Sequence, residues 1–188
     1  MRVLNVGGGS KGVSDIPAKY KDWEVVLLDI DPNVKPDLLL DARLLSTQEP
    51  EQYDAVYASH VLEHFHRTDA LKVLAGIYHI LKPAGYIEMF VPNVSGAIQH
   101  MQKFNLSFHD TWYRTPADIA ISFHDVIYGW SLQVECGNDY YCHKQGFSPK
   151  SFGDMFHSTQ FKSVWVGNTD ANIHALAFKK EGVPCPLL

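Results

Sequence analysis

A chain of 188 residues with 46% hydrophobic and 20% charged side chains has the composition of one globular domain, long enough to bury roughly 70% of its unfolded surface in an α/β core. No uninterrupted apolar run approaches the roughly 20 residues a membrane helix needs, and a formal charge of −5 supplies no basic field for steering a polyphosphate, which argues against general nucleic-acid binding. Cys136, Cys142 and Cys185 stand in no metal-like pairing and suit free thiols; an apolar strand signal beginning almost at Met1 leaves no room for a signal peptide, so a cytoplasmic location is expected.

The first element is a buried strand over 2–6, which VLNVGGGS at 3–10 carries straight into a glycine turn. Glycine there permits positive φ and lets main-chain N–H groups approach a ligand closely. Only the segment 13–22 precedes the next strand, and Pro17 limits it to a brief helix. EVVLLD at 24–29 reads as a second buried strand ending in an acid, followed by a break at Pro32 and Asn33. A short third strand over 37–40 meets another acid, Asp41, and YDAVYA at 53–58 is a fourth. Thr68 or Asp69 is placed to cap a helix to about Leu81, with Leu71, Leu74, Ala75, Tyr78 and Leu81 on one face. Pro83, Ala84 and Gly85 stop that helix and lead into a fifth strand, YIEMFVP. The alternation predicts a parallel sheet with crossover helices.

From Asn93 to Gln145 the pattern changes to mixed aromatics, His and Asp, read as an insertion on the sheet rim with helices near 95–104 and 116–130. Ser148 and Pro149 take the cap and first-turn positions of a further helix. Residues 161–180 read as two strands joined by a turn at 168–172. The tail from Gly182 to Leu188 is expected to be loose.

Gly7, Gly9 and Gly12 satisfy G-x-G-x-x-G, and Asp29 lies at a suitable spacing for a ribose contact, so an NAD-dependent oxidoreductase is one reading. Yet Pro17 and the second strand follow too soon for a long helix to offer its N-terminus to a pyrophosphate. A P-loop is excluded because no Gly-Lys-Ser/Thr follows the glycines. A cofactor with a ribose and a zwitterionic tail but no phosphates fits better. LNVGGGS at 4–10, LLDIDP at 27–32, LLLDAR at 38–43, YDAVYASHVLEHF at 53–65 and ILKPAGYIEMFVPN at 80–93 occur in order at the expected strand ends. In these motifs the chain resembles the class I S-adenosylmethionine-dependent methyltransferases, specifically their small type 11 group. The resemblance covers residues 1–93 and, more loosely, 147–180.

The resemblance implies an α/β, Rossmann-like, doubly wound fold. Its mostly parallel seven-stranded sheet would have strand order 3-2-1-4-5-7-6 and an antiparallel C-terminal strand, in one domain spanning 1–188. It implies that Gly7, Gly8 and Gly9 let the backbone pass the methionine and ribose parts of S-adenosylmethionine, that Asp29 accepts from the ribose hydroxyls, and that Ile30 packs on adenine. Asp41 would accept from the adenine amino group beside Ala42, and Ser59 and His60 would lie nearest the sulfonium. Asn5 joins this site from a position where the family usually has an acid. Lys11 stands where another glycine is common, and Ala84 replaces one of two glycines.

His60-Val61-Leu62-Glu63-His64 also spells H-x-x-E-H, with Glu135 downstream as a third ligand, the pattern of a zinc hydrolase. The same letters belong to the methyltransferase resemblance, so no metal is expected. Methyl transfer to give S-adenosylhomocysteine is an in-line displacement, and a base is needed only when the acceptor must lose a proton. His60 and His143 are the candidates. The insertion 94–146, with Phe108, Trp112, Tyr113, Phe123, Tyr128, Trp130, Tyr140 and Tyr141, is expected to lie over the substrate. No Asn/Asp-Pro-Pro-Tyr follows strand four and no Pro-Cys nucleophile suits attack on a cytosine carbon, which leaves a small molecule or a sugar as acceptor, through oxygen or nitrogen. The alternative is a non-catalytic, methyltransferase-like binding module, motivated by Asn5 and Lys11.

Overall fold

The computed structural model describes residues 1–9, 16–115 and 118–182. Gly12 of the glycine fingerprint, Lys11, Cys185 and the tail beyond Gly182 lie outside the described residues. In chain order the elements are β1 (Arg2–Val6), β2 (Glu24–Asp29), β3 (Leu38–Leu39), β4 (Tyr53–Ser59), α1 (Arg67–Ile80), β5 (Leu81–Pro92) and α2 (Val94–Phe104). There follow β6 (Thr111–Arg114), β7 (Ala120–Ser122), α3 (Phe123–Tyr128), α4 (Ser131–Glu135), α5 (Pro149–His157), β8 (Ser163–Asn168) and β9 (Asn172–Phe178). Seven strands form one sheet in the order β3-β2-β1-β4-β5-β9-β8, with β9 antiparallel to both neighbours. With β6 and β7 set apart as a separate hairpin, this is the expected 3-2-1-4-5-7-6 order. Among the described residues no helix is long and apolar enough to cross a membrane.

Strand alternation sends Leu4, Val6, Val56, Ala58, Ile87 and Met89 to one face, where they pack with Val73, Leu74 and Ile77 of α1 and Phe152 and Phe156 of α5. Fully buried side chains such as Leu74 each contribute on the order of 2 kcal/mol. The buried stripe of α1 is Ala70, Val73, Leu74, Ile77 and Ile80, a rotation from the expected face that leaves Ala75 exposed. Gly76 explains the rotation: a Cβ there would meet Leu45 Cβ at 2.7 Å, so only this face of the helix can approach the 42–47 turn. The helix also begins earlier than expected, with His66 at the N-cap making no side-chain bond. Asp69 instead sits in the first turn, where its charge suits the helix dipole. Leu81 belongs to β5. The register jumps from Tyr53↔Leu81 to Ala55↔Tyr86, so 82–85 bulge out, as Pro83 without an N–H requires.

The insertion departs most from expectation. In place of a helix over 116–130 there is the β6–β7 hairpin followed by two short helices. Asp125 decides this. One carboxylate oxygen accepts from the Ser122 N–H and hydroxyl at 2.9 and 2.6 Å, capping α3. The other accepts from the Ser131 N–H and hydroxyl at 2.9 and 2.5 Å, at the start of α4. Gly129 turns the chain between them at φ +103°, against the Tyr141 carbonyl, where no Cβ fits. Ala97, Phe123 and Val126 form a small core of the insertion's own, joined by Met101, Leu106, Trp112 and Ile121.

The opposite face of the sheet carries Val3 and Ala55 against Tyr20, Ile16, Trp23, Tyr57 and Tyr86. Asn5, Tyr57 and Glu88 are register partners along one row of that face. Buried Glu88 accepts from Tyr20 Oη at 2.8 Å, Lys19 Nζ at 2.8 Å and His174 Nε2 at 3.1 Å. Burial alone would raise the Glu88 carboxyl, but the hydrogen bonds from His174, Lys19 and Tyr20 hold it below its ordinary value of 4.5. The stability this carboxylate contributes is therefore fully present above about pH 4.5 and lost as pH falls through the lower, folded-state value. Glu88→Gln is expected to cost about 2 kcal/mol at neutral pH. Its Tm is expected to fall less than the parent's between about pH 6 and pH 3.5, measured by circular dichroism melts.

Candidate functional site

Strand order reverses between β1 and β4, and in an open parallel sheet the crevice beyond the strand ends at such a point is where ligands bind. A cavity of about 390 Å³ opens there, within the usual range for small-molecule sites. Of the residues singled out in the sequence, Gly7, Gly9, Asp29, Ile30, Asp41, Ala42 and His60 line it together; Asn5, Gly8 and Ser59 do not.

The three glycines serve different ends. Gly7 and Gly9 take φ of +65° and +64°, which only glycine adopts without strain. Gly8 has ordinary φ, but a Cβ there would collide with the Asn5 amide and with Leu27 Cδ1. Asn5, buried at 5% exposure, thus lies beneath the glycine turn and not in the cavity wall. The turn brings the Gly9 N–H to 3.2 Å from Asp29 Oδ2, while the Asp31 N–H donates to Oδ1 at 3.0 Å. The Asp29 carboxylate is thereby fixed in place with acceptor capacity left on both oxygens. Ile30 presents a large apolar side chain at 40% exposure beside it.

Asp41 caps the 42–47 turn through the Arg43 N–H at 2.9 Å and is clasped by the Arg43 guanidinium, with Nη2 at 2.5 Å from Oδ2 and Nε at 3.0 Å from both oxygens. The side-chain hydrogen bonds of Arg43 hold the Asp41 carboxyl below the usual carboxylate range. Arg43 also reaches Asp69 at 3.4 Å, tying the turn to α1.

After β4 the chain kinks at His60, whose φ is +56° and whose N–H donates to the Phe90 carbonyl at 3.0 Å. The kink turns His60 toward the cavity and starts a 3₁₀ turn over Leu62–His64. Glu63 does not line the cavity and is buried, its side chain 1% exposed. His60 Nδ1 lies 3.3 Å from Glu63 Oε1, an ion-pair distance outside hydrogen-bond geometry. His143 lies behind the cavity wall, 10% exposed, with Nε2 4.0 Å from the same oxygen. His64 lines the cavity and packs edge-on against the His143 ring, centroids 4.9 Å apart. Burial pushes the Glu63 carboxyl up and the surrounding histidines more than reverse this; burial holds His143 below its ordinary value.

The insertion closes the outer side through Asn138, Asp139, Tyr140, Tyr141 and Lys144. Of the eight expected lid aromatics only Tyr140 and Tyr141 reach the cavity. Trp112 and Phe123 stack on each other inside the insertion, and Phe108 and Tyr128 pack together. Sequence reasoning missed Asp31, Arg43, Phe65, His66, Asp69 and Lys144 in the cavity wall. Arg43 alone carried a local signal, two residues after an acid at a strand end. Glu135, the expected third ligand of a zinc motif, is exposed at the end of α4.

A family model described as a methyltransferase domain matches residues 1–165. Solved structures share the fold. One is a SAM-dependent methyltransferase from Archaeoglobus fulgidus, with TM-score 0.58 and 16% identity over 95% of this chain and 86% of that one. Another is the 1,6-didemethyltoxoflavin-N1-methyltransferase of Burkholderia thailandensis, bound to its substrate and S-adenosylhomocysteine, with TM-score 0.57 and 12% identity over 96% of this chain and 71% of that one. A third, a SAM-dependent methyltransferase from Methanosarcina mazei, has TM-score 0.57 and 14% identity over 95% and 92%. No curated protein sequence matches the chain significantly.

The glycine turn yields a direct comparison. A Cβ at Gly7 would meet Val61 Cγ2 at 2.6 Å as well as demanding positive φ, whereas nothing lies within 4 Å of one at Gly9. Gly9→Ala is expected to cost roughly 1 kcal/mol from φ strain alone. Gly7→Ala is expected to cost roughly 2 kcal/mol or more, the difference being measured by urea denaturation.

Proposed function

The chain belongs to the methyltransferase-domain family, and from that premise we propose that the cavity at the ends of β1–β4 holds S-adenosylmethionine and that the protein moves its methyl group to a small-molecule or sugar acceptor, through oxygen or nitrogen. The observation that carries this reading is the Asp29 carboxylate, pinned by the Gly9 and Asp31 N–H groups beside two left-handed glycines at the switch point of the sheet. A carboxylate so placed suits a vicinal diol, and the exposed Ile30 face suits an aromatic base. Among the described residues Arg43 and Lys144 are the Lys and Arg side chains that line the cavity, and Arg43 is already paired to Asp41, so the described donor set fits a phosphate-free ligand better than a dinucleotide.

On this reading Asp29 would hold the ribose hydroxyls, Ile30 and Ala42 the adenine, and the Gly7–Gly9 backbone the methionine portion. Asp41 keeps its hydrogen bonds to Arg43 and anchors the turn that carries Ala42. When bound, the cofactor supplies a methyl on a good leaving group, so the protein's share of the reaction is mostly alignment of the acceptor and exclusion of water. The insertion 94–146 acts as the lid, through Tyr140, Tyr141 and Lys144. For a hydroxyl acceptor, His60 is the base, because it reaches the cavity; His143, the other candidate, sits behind the wall.

Isothermal calorimetry tests the reading. S-adenosylmethionine and S-adenosylhomocysteine are both expected to bind, and Asp29→Ala is expected to weaken them at least about tenfold, or ~1.4 kcal/mol. Binding to neither would leave the non-catalytic module standing, and preferential binding of NAD would move the protein to the oxidoreductases. If the cofactor binds, a panel of hydroxyl and amine acceptors assayed for S-adenosylhomocysteine release identifies the substrate class. Loss of turnover in His60→Ala without loss of cofactor affinity is the expected sign of a base.

A further inference from the structure

Glu63 is a buried acid whose carboxylate the fold leaves without hydrogen bonds. Its carboxylate is closed off from solvent, and neither oxygen has a hydrogen-bond partner. Imidazoles approach it only at ion-pair distance, His60 Nδ1 at 3.3 Å and His143 Nε2 at 4.0 Å from Oε1, and a buried carboxylate left short of hydrogen bonds costs several kcal/mol, which native structures do not leave without a reason. What surrounds the two oxygens is nitrogen: one atom from each of Glu63, His64 and His143 lies within 4.8 Å of the others.

The two rings are also set in the tautomer that a metal needs. His64 Nδ1 is 3.1 Å from the Cys142 carbonyl and His143 Nδ1 is 3.0 Å from the Val126 carbonyl. A carbonyl only accepts, so each Nδ1 carries a proton, and in the neutral imidazole Nε2 is then the nitrogen with the lone pair. Backbone carbonyls on the far nitrogen are the usual outer support of metal-binding histidines. The two halves of the cluster are held together as well. The Lys144 and Gln145 N–H groups donate to the Glu63 carbonyl at 2.8 and 3.3 Å, and Gln145 Nε2 donates to the Leu62 and Phe65 carbonyls at 3.1 and 2.9 Å.

We propose that Glu63, His64 and His143 form a binding site for one divalent transition-metal ion, with zinc as its best match, built between the turn after β4 and the returning strand of the insertion. Two imidazoles and a carboxylate are the donor set of an open zinc site, three protein ligands with a further position free. Bonds of about 2.1 Å place tetrahedral donors about 3.4 Å apart, so ligation draws the three side chains in by about an ångström. The motif H-x-x-E-H is reinterpreted accordingly. Its Glu and second His are ligands, its first His lies on the cavity side, and the third ligand is His143, not Glu135.

Of the three ligands His64 lines the cavity, so an acceptor would approach the open position from that side. An acceptor oxygen bound there would lose its proton more readily, which favours an oxygen over a nitrogen acceptor. That last step rests on the methyltransferase reading; metal binding itself does not.

The test uses the whole chain without cofactor. Metal-stripped protein is titrated with zinc against a chromophoric chelator, and bound metal is counted by plasma mass spectrometry. One zinc per chain is expected, with a rise in Tm on binding and at least about a hundredfold loss of affinity in both Glu63→Gln and His143→Asn. His157→Ala, a histidine at the far end of α5, should bind as the parent does. Circular dichroism confirms that each variant is folded, and cobalt substitution gives a second readout, the visible absorption of a tetrahedral nitrogen and oxygen site. No zinc bound by the parent, or one zinc that survives both substitutions, overturns the proposal. Cofactor calorimetry on the metal-free chain reports separately, so zinc without cofactor binding, and cofactor without zinc, are distinguishable results.

Discussion

A carboxylate shut away from water between two chain segments, that of Glu63, is the constraint on which the functional end of this molecule depends. Removing such a charge from solvent is tolerated only where opposite charge, ligation or proton sharing answers it. Here His60, His64 and His143 gather round it from three directions. The main chain beside it is equally committed, because the Glu63 carbonyl accepts from Lys144 and Gln145. These bonds lock residues 142–145 to the turn after β4. Tyr140, Tyr141 and Lys144 line the cavity next to that seam.

The sheet is unequally covered, and this follows from the short connections early in the chain. Between β2 and β3 there is only a 3₁₀ turn at Pro32–Val34, so no crossover helix shields that side. One face is packed against α1 and α5. The other relies on aromatic rings and on the Glu88 network, in which Tyr20, Lys19 and His174 converge on one buried acid. Asn5 belongs to this second face, in the same row as Tyr57 and Glu88. Its amide supports Gly8 from below, and that contact accounts for the glycine more directly than a ligand does.

Local chemistry made part of the site legible. An acid where an apolar run ends, with a chain break such as Pro32 and Asn33 close behind Asp29, marks a strand end, and Asp29 and Asp41 are legible in that way. Positive φ at Gly7 and Gly9 was equally foreseeable from a glycine run after an apolar strand. Arg43 was not, although it saturates Asp41, because a basic residue after an acid has many partners available to it in the unfolded chain. The insertion misled for a related reason. Residues 116–130 carry helix-forming and aromatic side chains, and only the double role of Asp125, capping one short helix and starting another, shows where the chain must break.

The sequence by itself determined the parallel sheet and the glycine and acid positions that shape the cavity, since these follow from periodicity and from backbone conformations that single residues dictate; the strand order was implied only by the resemblance to the methyltransferases. Tertiary structure alone decided the rest. His143 lies 80 positions from Glu63 in the chain (143 − 63), yet its Nε2 is 4.0 Å away in space. Whether a histidine is a surface group, a base or a ligand depends on which carbonyl takes its proton and which acid it faces. Those partners are set by how the insertion folds back on the sheet, a long-range packing event that no local pattern encodes.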